Sequence, residues 1–345
     1  MALPMEHLPE LGHWPERQPF AQRSRATAVG AADRRSGTAW RSGSLGPGLP
    51  RRLRLVAALL LPPLAGCSGG VLDPQGPVGA ADVTIMLDAL AIMLVIGIPT
   101  IVAALAFAWW FRPSNKKARY LPDWTYSGRI ELVVWAIPLL TILFLGGLIW
   151  VGAHQLDPYE PLATQGQPGD KPIEVQVVSL DWKWLFIYPE QRIASVNELV
   201  VPVATPVHFS LTSASVMNSF FVPQLGTMIA TMNRMVTQLY LEASHVGDYY
   251  GLSTQFSGDG FSDMHFYLHA VPKEAFEQWV AKVQQAGPVL DRAGYAQLLD
   301  ESRPIRPFTY KSVEPNLFDQ IATDQIPPGP GLETEGPPSR RRVPQ

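Results

Sequence analysis

Two apolar runs constrain this chain more than anything else in it. Ala89 to Phe111 is 23 residues long with Thr100 as its only polar side chain, and Leu132 to Val151 is 20 residues long with only Thr141 polar. At about 1.5 Å per helical residue these reach ~35 Å and ~30 Å, enough to cross a ~30 Å hydrocarbon core. Both predict membrane-spanning helices. Pro99 and Pro138 fall inside them, which helices in lipid tolerate, and Trp109, Trp110, Trp135 and Trp150 stand near the ends, where aromatic belts form. The connecting loop carries Arg112, Lys116, Lys117, Arg119 and Arg129 against Asp123 alone. The positive-inside rule therefore puts this loop in the cytoplasm and both flanks on the opposite side.

Charge is spread unevenly over the 345 residues. The whole chain has 27 basic and 30 acidic side chains, yet residues 1–66 hold nine Arg against four acidic residues, so the rest is distinctly acidic. That balance excludes a nucleic-acid binder driven by phosphate neutralisation. Arg51, Arg52 and Arg54 precede the apolar run Leu55 to Leu61, and Leu64-Ala65-Gly66-Cys67 follows. Basic residues, an apolar run, small residues and then Cys are the order of a secretory signal ending in a lipobox, so residues 1–66 read as an extension plus a cleaved signal peptide. Cys67 reads as the lipidated first residue of the mature chain. As the single cysteine, it also excludes an intrachain disulfide and any multi-cysteine metal centre.

Residues 67–82 read as a short lead into the hairpin, 83–154 as the two helices with the basic loop 112–130 between them, and 172–272 as a β-domain. Within the last, Ile173–Val178, Leu185–Tyr188, Glu198–Val201, Val207–Leu211, Val236–Leu241 and Met264–His269 are short runs rich in Val, Phe and Tyr. Several alternate with period two, and their number and spacing predict a Greek-key sandwich or barrel. Helical spacing returns from Lys273 to about Leu299 within an aromatic-rich arm, 273–320, and residues 321–345 read as a disordered tail. The fold class is thus an α+β membrane protein: a two-helix hairpin, an extracytoplasmic β-domain and a helical C-terminal arm.

A lipobox, two helices around a basic loop and then a β-domain resemble subunit II of the haem–copper oxidases. Asp181-Trp-Lys-Trp184, Ile187-Tyr-Pro-Glu-Gln191, Ser215-Val-Met-Asn-Ser-Phe-Phe221 and Phe256-Ser-Gly-Asp-Gly-Phe-Ser262 look like the cytochrome o (bo-type) ubiquinol oxidase branch. The resemblance implies a cupredoxin-like β-domain in the periplasm and a chain anchored in a bacterial inner membrane. It implies as partners subunit I, which would hold the haems, the copper and the quinol site, together with subunits III and IV, membrane lipid, and ubiquinol through the complex. No cofactor in this chain, no nucleic acid and no cytochrome c are expected. The alternative is a free-standing periplasmic lipoprotein that binds a ligand or assists oxidase assembly.

Subunit II of the cytochrome c oxidases holds a binuclear copper centre through two bridging Cys, two His, a Met and a Glu carbonyl. Asn218 matches the first His, Phe256 and Gly260 the two Cys, Gly258 the Glu, Met264 the second His and Tyr267 the Met. By that match no ligand side chain survives, so the expectation is no metal here and electrons arriving from a quinol. His265 and His269, four apart in a strand, could share a face, but they lack the thiolate that such copper requires. Trp182 and Trp184 are expected on one face, as packing or partner contacts, and Asp88 at the membrane interface. Glu131 opens the second helix on the cytoplasmic side. The resemblance places it at the entrance of a proton path, whereas the helix dipole alone would also favour a carboxylate there.

Overall fold

The computed structural model describes residues 70–119, 121–162, 171–301 and 305–329. Cys67 and its signal segment lie outside these residues, as do positions 330–345.

Helix α1 spans Pro77–Trp110 and α2 spans Gly128–Gln155, both long and apolar enough to cross a membrane. With 34 residues, α1 is about 51 Å long, far more than lipid requires. It starts at Pro77, not at 83, because proline is pre-set for a first helical turn and because Val78 and Gly79 are buried in contact with the β-domain. The two helices touch near the top of the pair. There Gly152 faces Ile85 so closely that a Cβ would stand 2.7 Å from the Ile85 side chain.

The β-domain has ten strands: β1 Ile173–Leu180, β2 Lys183–Tyr188, β3 Ile193–Val196, β4 Glu198–Pro202, β5 Val207–Ser213, β6 Asn218–Phe221, β7 Ile229–Thr231, β8 Thr237–Leu241, β9 Gly247–Ser253 and β10 His265–Val271. The C-terminal arm adds α3 Lys273–Gln285, β11 Val289–Leu290, α4 Arg292–Leu299, β12 Phe308–Tyr310, β13 Ser312–Val313 and α5 Leu317–Ala322. One sheet runs β12-β3-β2-β1-β5-β8 and the facing one β4-β10-β9-β6-β7. Parallel pairing of β1 with β5 and of β4 with β10 makes both sheets mixed, as Greek-key crossovers do.

Between the sheets the core is aromatic. Phe266 stacks on Phe220 at 5.2 Å and meets Phe186 and Trp184 edge-on at 5.1 and 5.7 Å. A second core lies on the outer side of the first sheet, where Val178, Leu180, Leu185 and Ile187 pack under Leu290, Tyr295, Leu298, Phe318 and Ile321 of the arm. This second layer explains why β2 is buried at every position instead of alternating.

The arm refines one expectation and corrects another. The helical spacing from Lys273 to about Leu299 is realised as two helices, because Gly287 takes φ +120° and Pro288 cannot continue a helix. The disordered tail does not begin at 321. Residues through 329 are packed, with α5 ending at Ala322, Arg234 3.1 Å from Asp324, and the Gly329 N–H donating to the Ala214 carbonyl at 2.7 Å.

Candidate functional site

The turn joining β1 to β2 is Asp181-Trp182, and three separate segments meet on it and on Lys183. Trp182 occupies the left-handed region at φ +63°. Its ring lies on the 256–260 loop, with Nε1–H donating to the Ser257 carbonyl at 3.1 Å. Gly258, itself at φ +108°, and Gly260 form the surface beneath it, and a Cβ at Gly260 would fall 2.2 Å from the indole. Asp181 accepts a hydrogen bond from the Ser215 hydroxyl in the β5–β6 loop. Lys183 is fully buried, and its Nζ donates to the Leu298 and Asp300 carbonyls, both at 2.7 Å.

Five of the six positions matched to copper ligands gather around this turn. Asn218 is buried and accepts from the Ser253 hydroxyl at 3.0 Å, while the Ser253 N–H donates to the Met264 carbonyl. Met264 is buried, with its sulfur 3.9 Å from the Ser257 hydroxyl. Gly258 and Gly260 carry the indole, and Phe256 projects into solvent at 72% exposure against Phe261. Tyr267 is not part of the group. It points outward from β10, between buried Phe266 and Leu268, and packs edge-on against Tyr250.

His265 and His269 do share that outer face. His265 stacks on Tyr250, and His269 Nδ1 is 2.7 Å from Asp248. Trp182 and Trp184 both lie on the inter-sheet side, Trp184 within the aromatic core and Trp182 packed against it over the 256–260 loop, while Lys183 between them points to the arm. Asp88 is an exposed residue inside α1. Glu131 lies in the first turn of α2, its N–H bonded to the Ser127 carbonyl and its side chain exposed.

Lys183 was missed by sequence reasoning, although a lysine inside a strand of Trp, Leu, Phe and Ile is a signal in itself. Burial lowers its pKa to about 8, opposed by the nearby Asp181, Asp300 and Glu301 carboxylates. A depressed folded pKa means that stability is fully present above the ordinary value of 10.5 and is lost as pH falls through about 8. The arm should therefore hold more tightly at pH 10 than at pH 7. Lys183→Met leaves two carbonyls without their donor at a cost of about 1–3 kcal/mol, and should speed protease cleavage within residues 286–329 and flatten that pH dependence.

Fold and site together define a membrane-anchored cupredoxin-like domain of the kind carried by oxidase subunit II. The family model for the periplasmic domain of cytochrome c oxidase subunit II matches residues 174–271. The ubiquinol oxidase subunit 2 of Acetobacter aceti is 50% identical over 268 residues, covering 77% of this chain and 85% of that one. The cytochrome bo(3) ubiquinol oxidase subunit 2 of Pseudomonas aeruginosa is 48% identical over 271 residues, 79% and 80% of the two chains. The quinol oxidase subunit 2 of Bacillus cereus is 35% identical over 239 residues, 68% of this chain and 81% of the other. The chain belongs to the ubiquinol oxidase subunit 2 family.

Proposed function

We propose that this chain is the copper-free subunit II of a proton-pumping ubiquinol oxidase, with its catalytic centres in partner subunits. The observation that carries the copper-free reading is the corner around Trp182. A binuclear copper centre needs two thiolates held a few ångströms apart, and here the two positions are an exposed phenylalanine and a glycine closed over by an indole. Asn218 and Met264 are buried, with the Ser253 hydroxyl donating to the Asn218 side chain and the Ser253 N–H to the Met264 backbone carbonyl, and Tyr267 points outward. This set does not fit the group, so no electron step is assigned to it. Quinol is the donor consistent with that, and subunit I is where quinol, haem and the other copper belong.

The same reading has the chain in the bacterial inner membrane, beside subunits I, III and IV, with Cys67 lipidated and Glu131 at the mouth of a proton path. Elemental analysis of the purified chain should find no copper attributable to the β-domain, and the near-infrared band of a mixed-valence binuclear centre should be absent. Detection of that band would overturn the assignment. Co-purification tests the larger claim: a tagged chain should carry haem-bearing subunits out of detergent, and recovery without them would favour a free-standing lipoprotein.

A further inference from the structure

We infer that the joint between α1 and the β-domain is a proton-operated catch, closed while the Glu242 carboxyl is protonated and loosened when it ionises. This goes beyond the oxidase reading and depends only on the fold of the chain itself.

The joint is made mainly by backbone. Gln75 N–H donates to the Gln224 carbonyl at 2.7 Å, Ser244 N–H to the Gln75 carbonyl at 2.8 Å and Gly79 N–H to the Leu225 carbonyl at 2.9 Å. Val78 is buried over Gly226, whose φ of +151° leaves room for it, since a Cβ there would lie 2.6 Å from the valine. Gly76 lies so close to the end of β8 that a Cβ would stand 2.2 Å from the Glu242 carbonyl oxygen. Residues 242–244 thus form one wall of the joint, and they have no slack.

Within that wall, Glu242 is 1% exposed and its Oε2 has no hydrogen-bond partner. A neutral carboxyl can remain in such a place, whereas an unpaired carboxylate is strongly penalised. Burial accordingly pushes the Glu242 pKa above its ordinary 4.5. Once ionised, the side chain must reach water or a cation, and turning it outward displaces the 242–244 backbone on which Gln75 and Gly76 rest. The titratable groups near this corner are Asp73 and Asp82 on the incoming chain, Glu174, His208 and Tyr240 on β1, β5 and β8, and His245, Asp248 and Tyr249 beyond. His154 and Asp157 lie at the end of α2. None of them bonds to Glu242: His208 Nδ1 is 2.7 Å from Glu174, Asp82 accepts from Thr227, and Asp73 accepts from Gln75 and Gln224.

The sign follows from the raised folded value. The catch is fully closed below the ordinary carboxylate pKa, loses closure by about tenfold in population per unit as pH rises from that value to the folded pKa, and levels off beyond it.

Hydrogen exchange of residues 75–79 and 242–245, read by mass spectrometry on the full chain in detergent and corrected for the intrinsic pH dependence of exchange, is the test. In the wild-type chain, protection should fall as pH rises from about 4.5 to about 8, while the β1–β2 hairpin stays unchanged. Glu242→Gln, which keeps the neutral shape, should remain protected throughout, and Gly76→Ala should be unprotected throughout. Flat wild-type protection would overturn the catch, and so would a pH dependence that survives in Glu242→Gln.

Discussion

Gly251→Val is expected to cost this protein more stability than a change at almost any other single glycine. A Cβ at Gly251 would fall 2.1, 2.4 and 2.6 Å from three atoms of the Phe266 ring. That ring cannot retreat, because it is fully buried, stacked on Phe220 and flanked by Phe186 and Trp184. Valine is the better strand former by a fraction of a kcal/mol, but forcing three extra carbons into a close-packed core costs about 3 kcal/mol, so the overlap decides the sign. For a domain the size of the β-domain with its arm, the midpoint of thermal unfolding should drop by roughly 6–12 °C, read by near-ultraviolet circular dichroism in detergent. Phe266→Ala on the Gly251→Val background should recover part of the loss, since it vacates the space the valine needs. An additive double variant would show that the two positions do not compete.

What the sequence disclosed followed from how local each signal is. The membrane spans were legible because lipid imposes a requirement on every residue of a continuous run, and β5, β8 and β10 because each has one wet face. The first turns of α1 were not, since Gly79, Asp82 and Asp88 interrupt the apolar pattern and the helix is held there by the β-domain instead of by lipid. Continuous burial of β2 depends on an arm that arrives about a hundred residues later in the chain. The break after α3 was written in Gly287-Pro288 and outweighed by the helical spacing around it. At the site, the resemblance to oxidase subunit II was what singled out Asn218, Gly258, Gly260 and Met264. That the space between the loops is closed by Trp182, and that Lys183 ties the same turn to the arm, required the fold.

Replacing Glu131 with glutamine should slow oxygen consumption at saturating quinol while leaving haem content and subunit assembly at wild-type levels. Glu131 sits in the first turn of α2, behind the Ser127 cap, and projects outward where the basic loop meets the span. Two roles compete for it. As a helix-start charge it would contribute only ~0.3–1 kcal/mol, a loss that an assembled membrane complex absorbs without a change in rate. As an entry point for protons it would have to exchange one with water and pass it on, which glutamine cannot do although it matches glutamate in size and hydrogen bonding. The two roles therefore separate in kinetics and not in stability. Under the proton-path reading, stopped-flow traces of Glu131→Gln should show a slow step confined to reduction of the oxygen-binding site, and the loss should persist across the pH range because no titratable group remains. Glu131→Asp, which restores a carboxyl one methylene shorter, should recover part of the rate. An assembled Glu131→Gln complex with wild-type turnover at every pH would leave the carboxylate as a helix-start residue and remove it from the path.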